Sequence, residues 1–348
     1  MTQKKMKAFV LQSPGNMGLE DLDLPAPLPD EASVRIRSVG VCGSDVHYLR
    51  HGRIGSFVVK APLILGHECS GEVVALGSEV GNLSVGDRVV LEPGVPCKKC
   101  WYCRNGRYTK CPHIKFLATP PDDGALVEYK TWPADYLFKM PDEMTFQEGA
   151  LVEPFAVGLY AVRRSGLYPS ASVAILGSGP IGLATLQAAK ACGAGQIIMV
   201  DLMENRMKLA KEMGASHVLD ARQGSVAQKI KDLTRGEGAH FVYETAGTAK
   251  TFQQTVEMVR DGGSIVLIGL PQEEQIPMPM VEALIKEVNF ITSFRYNNIF
   301  EEAITLMENR RVNVKPLITH EFPFAQTLEA FDTAENAKDQ AVKVMINL

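Results

Sequence analysis

The chain has 348 residues, more than one hydrophobic core usually serves, so two domains are expected. Its apolar share of 46% and charged share of 22% are ordinary for a globular protein. The net charge of −4, with no block of like charge, argues against a nucleic-acid or polybasic membrane partner. The stretch Met1 to Lys7 has no apolar run behind it and no segment reaches membrane-spanning length, so an intracellular, cytoplasmic protein is expected. In a reducing compartment, a cluster of four of the seven cysteines, within Cys97 to Cys111, reads as metal-binding rather than as disulfides.

The first 40 residues hold short strand-like runs, Lys7 to Val10 and Ser33 to Val39. The second alternates apolar and polar positions, as a half-buried strand does. The run from Gly40 to Tyr48 contains Cys42, Ser44 and His47, and its glycines read as an irregular turn. Next comes Gly66-His67-Glu68. Neighbouring strand residues face opposite sides, so His67 and Glu68 can share one ion only where the backbone is irregular, which Gly66 permits. Many short strands before any clear helix predict a β-rich first domain.

Cys97, Cys100 and Cys103 fall at intervals of three, and Cys111 follows eight residues later. Four thiols in one loop can close around a tetrahedral ion with no open position, which is a structural zinc site. An iron–sulfur cluster is the alternative, although its usual fourth spacing is shorter and no second cysteine set is present. His113 beside the lobe is a competing ligand, but four thiols already fill the shell. Further on, Glu153 lies in an apolar run before Pro154. Burying a lone carboxylate is costly, so it should meet a metal, a metal-bound water or a cation, unless it reaches solvent at a helix start.

From Ser172 onward, strand and helix patterns alternate. Strands are predicted at Val173–Leu176, Gln196–Val200, Ser216–Leu219, His240–Tyr243, Ser264–Ile268 and Val288–Ile291. Helices are predicted at Glu204–Met213, Val226–Thr234, Thr251–Val259 and Asn298–Glu308. That alternation makes a doubly wound parallel sheet. The first unit carries Gly177-Ser178-Gly179-Pro180-Ile181-Gly182 between a strand and a helix, and the second strand ends in Asp201, 19 residues after Gly182. This is the complete context of a dinucleotide fingerprint. Gly177 allows the tight turn, Gly179 lets backbone approach a pyrophosphate, and Gly182 lets helix and strand pack. The helix N-terminus offers N–H groups to phosphate. Asp201 suits the ribose hydroxyls of NAD and repels a 2′-phosphate, whereas Arg206, five residues on, argues for one.

A dinucleotide domain joined to a cysteine, a histidine and carboxylates implies metal-assisted hydride transfer. A catalytic zinc keeps one position open and makes a bound alcohol oxygen more acidic, as bound water falls to a pKa of roughly 7. The run Cys42 to Tyr48, the Gly66-His67-Glu68 triplet, the four-cysteine lobe, Glu153-Pro154 and the glycine fingerprint together resemble the zinc-dependent medium-chain dehydrogenases. The resemblance runs the whole length, in unbroken order. His47-Tyr48, Gly52 to Val59, Leu117 to Gly124 and Phe294-Arg295-Tyr296 are most similar to the sorbitol and xylitol (polyol) dehydrogenases.

The resemblance implies a GroES-like β-rich catalytic domain, residues 1–156 and 291–348, around a Rossmann domain, residues 157–290. It implies NAD, one catalytic and one structural zinc per chain, a polyol substrate and a homotetramer. Cys42, His67 and Glu68 would be catalytic zinc ligands, with Glu153 binding directly or through water. Ser44 would take the substrate proton and His47 pass it to solvent. Tyr48, Glu153, Arg295 and Tyr296 would contact substrate. Gly177, Gly179, Ile181, Gly182, Asp201, Arg206, Ile268, Gly269 and Leu270 would form the cofactor site. An L-threonine or 2,3-butanediol dehydrogenase of the same family is the alternative, and a non-catalytic protein would have lost the ligands that are present here.

Overall fold

The computed structural model describes residues 5–348. The chain divides into two compact units. One runs to Glu153 and adds Phe300–Ile304 and Ile318–Leu348; the other is Pro154–Ile299 with Thr305–Leu317.

The first unit is built on a seven-stranded sheet. Its order is Leu137–Lys139, Arg88–Leu91, Glu68–Leu76, Glu31–Gly40, Lys343–Asn347 and Ile318–Pro323, and Tyr129–Pro133 also pairs with Glu31–Gly40. The chain end thus returns to the first unit, where Lys343–Asn347 pairs with Glu31–Gly40. Glu31–Gly40 was expected to be half-buried. It is instead mostly buried, with Arg35 exposed, and three strands pair with it along its two edges. A smaller sheet, Asn16–Asp23, Lys5–Ser13 and Leu63–Ile64, lies in the same unit. Val34, Ile36, Leu65, Leu91 and Leu126 are among the side chains of its core.

One local expectation is corrected. The residues after Cys42 form a nine-residue helix, Gly43–His51, and not an irregular turn. Asp45 stands at the third helical position and its carboxylate accepts the Cys42 backbone N–H at 3.2 Å, which starts the helix in spite of Gly43. Gly52 ends it in the left-handed region, φ +66°.

The second unit is a six-stranded parallel sheet. The strands stand in the order His217–Asp220, Gln196–Asp201, Ser172–Leu176, Ala239–Glu244, Val259–Leu267, Asn289–Thr292. Val173–Leu176 is buried throughout, as a strand covered by helices on both faces must be. The order reverses between Ser172–Leu176 and Ala239–Glu244, and ligands of such sheets bind outside the carboxyl ends at that point. The boundary expected at residue 290 differs from the observed one. Asn289–Thr292 pairs in parallel with Val259–Leu267, so residues 291–299 continue the second unit, and residues 305–317 belong to it as well.

Candidate metal and dinucleotide sites

Cys42, His67 and Glu68 come together in the first unit, with one donor atom of each within 4.8 Å of the others. Cys42 caps the helix Gly43–His51, while His67 and Glu68 stand at the start of the strand Glu68–Leu76. Gly66 takes φ +88°, a conformation closed to most side chains, and this breaks the strand alternation so that both residues reach one point. His67 and Glu68 are buried.

Asp45 orders this group, a role its position in the sequence did not reveal. Its Oδ1 accepts the Gly66 backbone N–H at 3.1 Å and lies 3.4 Å from His67 Nδ1. A carboxylate behind one ring nitrogen fixes the orientation of a ligating imidazole and leaves the other nitrogen to the ion. Burial opposes a charged His67, but Asp45 and Cys42 outweigh it and hold the ring well above the ordinary histidine range. The negative charge around His67 that raises it would also suit a divalent cation at the same place. A set of one sulfur, one nitrogen and one oxygen donor fits zinc.

Glu153 lies in the first turn of the helix Val152–Ser165 and is buried. It is outside the 4.8 Å group, yet its charge bears on Cys69, Glu92 and Lys343. Ser44, His47 and Tyr48 are on the helix Gly43–His51. Burial, with the charge of His51 added, holds His47 below the usual histidine range and favours its neutral ring. Cys69 is core, its thiol pushed up to about 12 by burial. Cys192 is only half-buried.

The lobe cysteines Cys97, Cys100, Cys103 and Cys111 form a second group within 4.8 Å. Cys100 and Cys103 sulfurs are 3.3 Å apart and those of Cys97 and Cys103 are 4.0 Å apart. Four Zn–S bonds of about 2.3 Å place tetrahedral sulfurs about 3.8 Å from one another, so the set fits zinc. Backbone N–H groups of Lys99 and Cys100 lower Cys97 to about 6, while burial and the neighbouring thiols push Cys103 to about 12. Thiols bind an ion as thiolates, so binding there would release protons.

In the second unit Gly177 takes φ +99°, and a methyl group on Gly182 would overlap Gly177 O. A methyl group on Gly179 would meet only Arg206 Nη1, at 3.7 Å, which leaves space above the start of the helix Pro180–Ala191. Asp201 accepts backbone N–H groups from Ser178, Leu202 and Met203 at 2.5, 2.7 and 2.8 Å. Its carboxylate is thereby fixed at the end of the second strand of the fingerprint. Ile268, Gly269 and Leu270 follow the strand Val259–Leu267, and Ile268 and Gly269 donate backbone N–H groups to Glu244 O. Arg295, at φ +59°, and the buried Tyr296 lie on the loop after Asn289–Thr292, where the Asn297 side chain is held by the Tyr160 hydroxyl at 2.8 Å.

The alcohol dehydrogenase GroES-like domain profile matches residues 28–142, and the zinc-binding dehydrogenase profile matches residues 180–309. The chain belongs to the zinc-binding dehydrogenase family. Among relatives, sorbitol dehydrogenase of Bacillus subtilis is 41% identical over 99% of this chain and 97% of its own. Sorbitol dehydrogenase of Bos taurus is 44% identical, over 97% of this chain and 95% of its own. The crystal structure of an Escherichia coli oxidoreductase/dehydrogenase of unknown specificity superposes with a TM-score of 0.94 at 38% identity, covering 99% of each chain. That of 2R,3R-butanediol dehydrogenase from Bacillus subtilis gives 0.90 at 31% identity, also over 99% of each.

This zinc-binding dehydrogenase also holds two buried groups that no motif announced. Lys343 pairs with Glu68 at 2.7 Å. Glu92 accepts the Tyr108 hydroxyl from the cysteine lobe. The first pairing spans 275 residues, and neither has a local sequence signal. Among the described residues no helix is long and apolar enough to cross a membrane.

Proposed function

We propose that the chain is an NAD- and zinc-dependent polyol dehydrogenase, oxidising a secondary hydroxyl of sorbitol, xylitol or a similar alditol to the ketose. The observation that carries this reading is the convergence of Cys42, His67 and Glu68 in a chain that matches sorbitol dehydrogenases from end to end. When bound, zinc supplies the Lewis acidity that weakens the substrate O–H bond, and NAD accepts the hydride.

The chain's own residues do the rest. Cys42, His67 and Glu68 hold the ion, and Glu153 holds it directly or through water. Asp45 fixes His67. Ser44 takes the substrate proton and His47, kept neutral, passes it on. Tyr48, Arg295 and Tyr296 bind the polyol hydroxyls, and the lobe thiols carry the structural zinc. Gly177, Gly179, Ile181 and Gly182 leave room for the pyrophosphate; Arg206, Ile268, Gly269 and Leu270 line the rest of the cofactor site. Asp201 favours NAD over NADP by occupying the place of a 2′-phosphate. The seven cysteines without a disulfide suit a reducing compartment such as the cytoplasm. An open sheet edge and exposed apolar residues in the second unit support self-association, with the homotetramer as the assembly.

The test is an initial-rate panel with NAD on sorbitol, xylitol, ribitol, galactitol, 2,3-butanediol and threonine, using protein assayed for zinc. High kcat/KM on one or two alditols, with about two zinc ions per chain, is the expected outcome. Activity on butanediol or threonine with none on alditols moves the substrate to the smaller alcohols. Full alditol activity after removal of zinc by chelator overturns the metal's role.

A further inference from the structure

Strand pairing brings to the metal group a side chain that the motifs do not contain. Glu31–Gly40 is the middle of three strands, and its Gly40 lies opposite Glu68 on one side and Met345 on the other. Gly40 carries no Cβ, and a methyl group there would overlap Glu68 Oε2. The Glu68 carboxylate therefore crosses the middle strand above Gly40 and reaches Lys343. Lys343 Nζ donates to Glu68 Oε1 and Oε2, each at 2.7 Å, and to Val41 O at 3.2 Å. Both side chains are 2% exposed. A charge buried so deeply persists only when paired, and here both carboxylate oxygens are taken. Glu68 nevertheless has an oxygen within 4.8 Å of the Cys42 and His67 donors. One carboxylate thus stands between an ammonium and the place of a metal ion.

We propose that Lys343 is a positioning residue for the metal centre. It holds Glu68 by both oxygens, limits how strongly that carboxylate draws on the ion, and offsets the negative charge gathered by Cys42, Asp45, Glu68 and Glu153. The proposal rests on the zinc reading given above. A carboxylate shared with an ammonium gives less charge to a metal, which leaves the ion more electron-withdrawing toward a substrate oxygen. Gly40 supplies the gap through which the two side chains meet.

The test compares the zinc-loaded full chain with Lys343→Met, Lys343→Gln and Lys343→Arg, by zinc retention against graded chelator and by kcat and KM on the best alditol. In Lys343→Met the freed Glu68 holds zinc roughly tenfold tighter while kcat falls by roughly tenfold or more, with KM changed less. Lys343→Gln keeps an N–H donor group, loses the charge and lies between; where the Met variant does not fold, it carries the test with the same signs. Lys343→Arg, which can span both oxygens, restores both values. A merely structural role has the opposite signature, looser zinc in the Met and Gln variants with kcat following zinc content. That result, or unchanged zinc affinity, overturns the proposal. If Cys42→Ser leaves the zinc content of the chain unchanged, the zinc reading of that site falls, and the proposal with it.

Discussion

At the scale of single residues, Glu92 shows how burial decides a charge. It is 3% exposed, and burial pushes it up to about 7 against the Tyr108 hydroxyl, which favours the carboxylate, with the Glu153 charge adding to the rise. The folded protein therefore keeps a proton that the unfolded chain loses near the ordinary value of 4.5. The stability this contributes is present below that value and is lost as pH rises through about 7. Glu92→Gln keeps an acceptor for Tyr108 and removes the titration. We expect it to be more stable than the parent by on the order of 2 kcal/mol at pH 8 and little different at pH 4.5. Thermal melts at the two pH values check this; an equal difference at both removes burial of the charge as the cause. Asp201 is instead held by geometry, its side chain accepting the backbone N–H groups of Ser178, Leu202 and Met203.

At the scale of elements, the cysteine lobe is held by its thiols together with a few outside contacts, among them Tyr108 to Glu92 and Lys98 to Asp135. Between Cys97 and Cys111 the backbone forms only the four-residue helix Trp101–Arg104 and one 3-10 turn, and Trp101 and Tyr102 are exposed. So short a segment buries little apolar surface, and a closed metal site on its four thiols would add to what orders it. Cys100→Ser is expected to lower bound zinc from about two ions to about one per chain. It should also open Lys98, Lys99, Arg104, Arg107 and Lys110 to trypsin while the sheets stay intact. Zinc assay and limited proteolysis check both; a lobe equally resistant without its ion would show that other contacts order it. The helix Gly43–His51 carries the same lesson about context. Read locally, its glycine signals a turn, whereas Asp45 caps it and at the same time fixes His67.

At the scale of the whole molecule, the second unit's sheet ends in an edge strand, Asn289–Thr292, next to the short helix Met280–Ile285, whose Val281, Leu284 and Ile285 are 73, 73 and 79% exposed. An open edge beside a contiguous apolar patch is normally covered in a stable protein. If copies of this chain cover it, Val281→Glu together with Ile285→Glu yields a smaller assembly with an unchanged monomer fold. Sedimentation at several concentrations reads the mass, and an unchanged mass would place the subunit contact elsewhere.

The sequence by itself determined the local chemistry. Sulfur spacing, the glycine fingerprint with its acid, and the alternation of strand and helix are short-range patterns, because a tight turn, a four-thiol shell and a βαβ unit each close within a few dozen residues. For the same reason five of the six strands of the second unit lie within a few residues of their predicted bounds, and the remaining one, Val259–Leu267, starts earlier than its glycines predict. What only the tertiary structure decided depends on contacts between distant segments. The pairing of Glu31–Gly40 on both edges comes from strands far away in the chain. The pairing of Lys343 with Glu68 needs the C-terminal strand to return beside Gly40. The unit boundary moved because Asn289–Thr292 joined the parallel sheet. A residue's partners across a sheet are set by register, and register is a property of the folded whole.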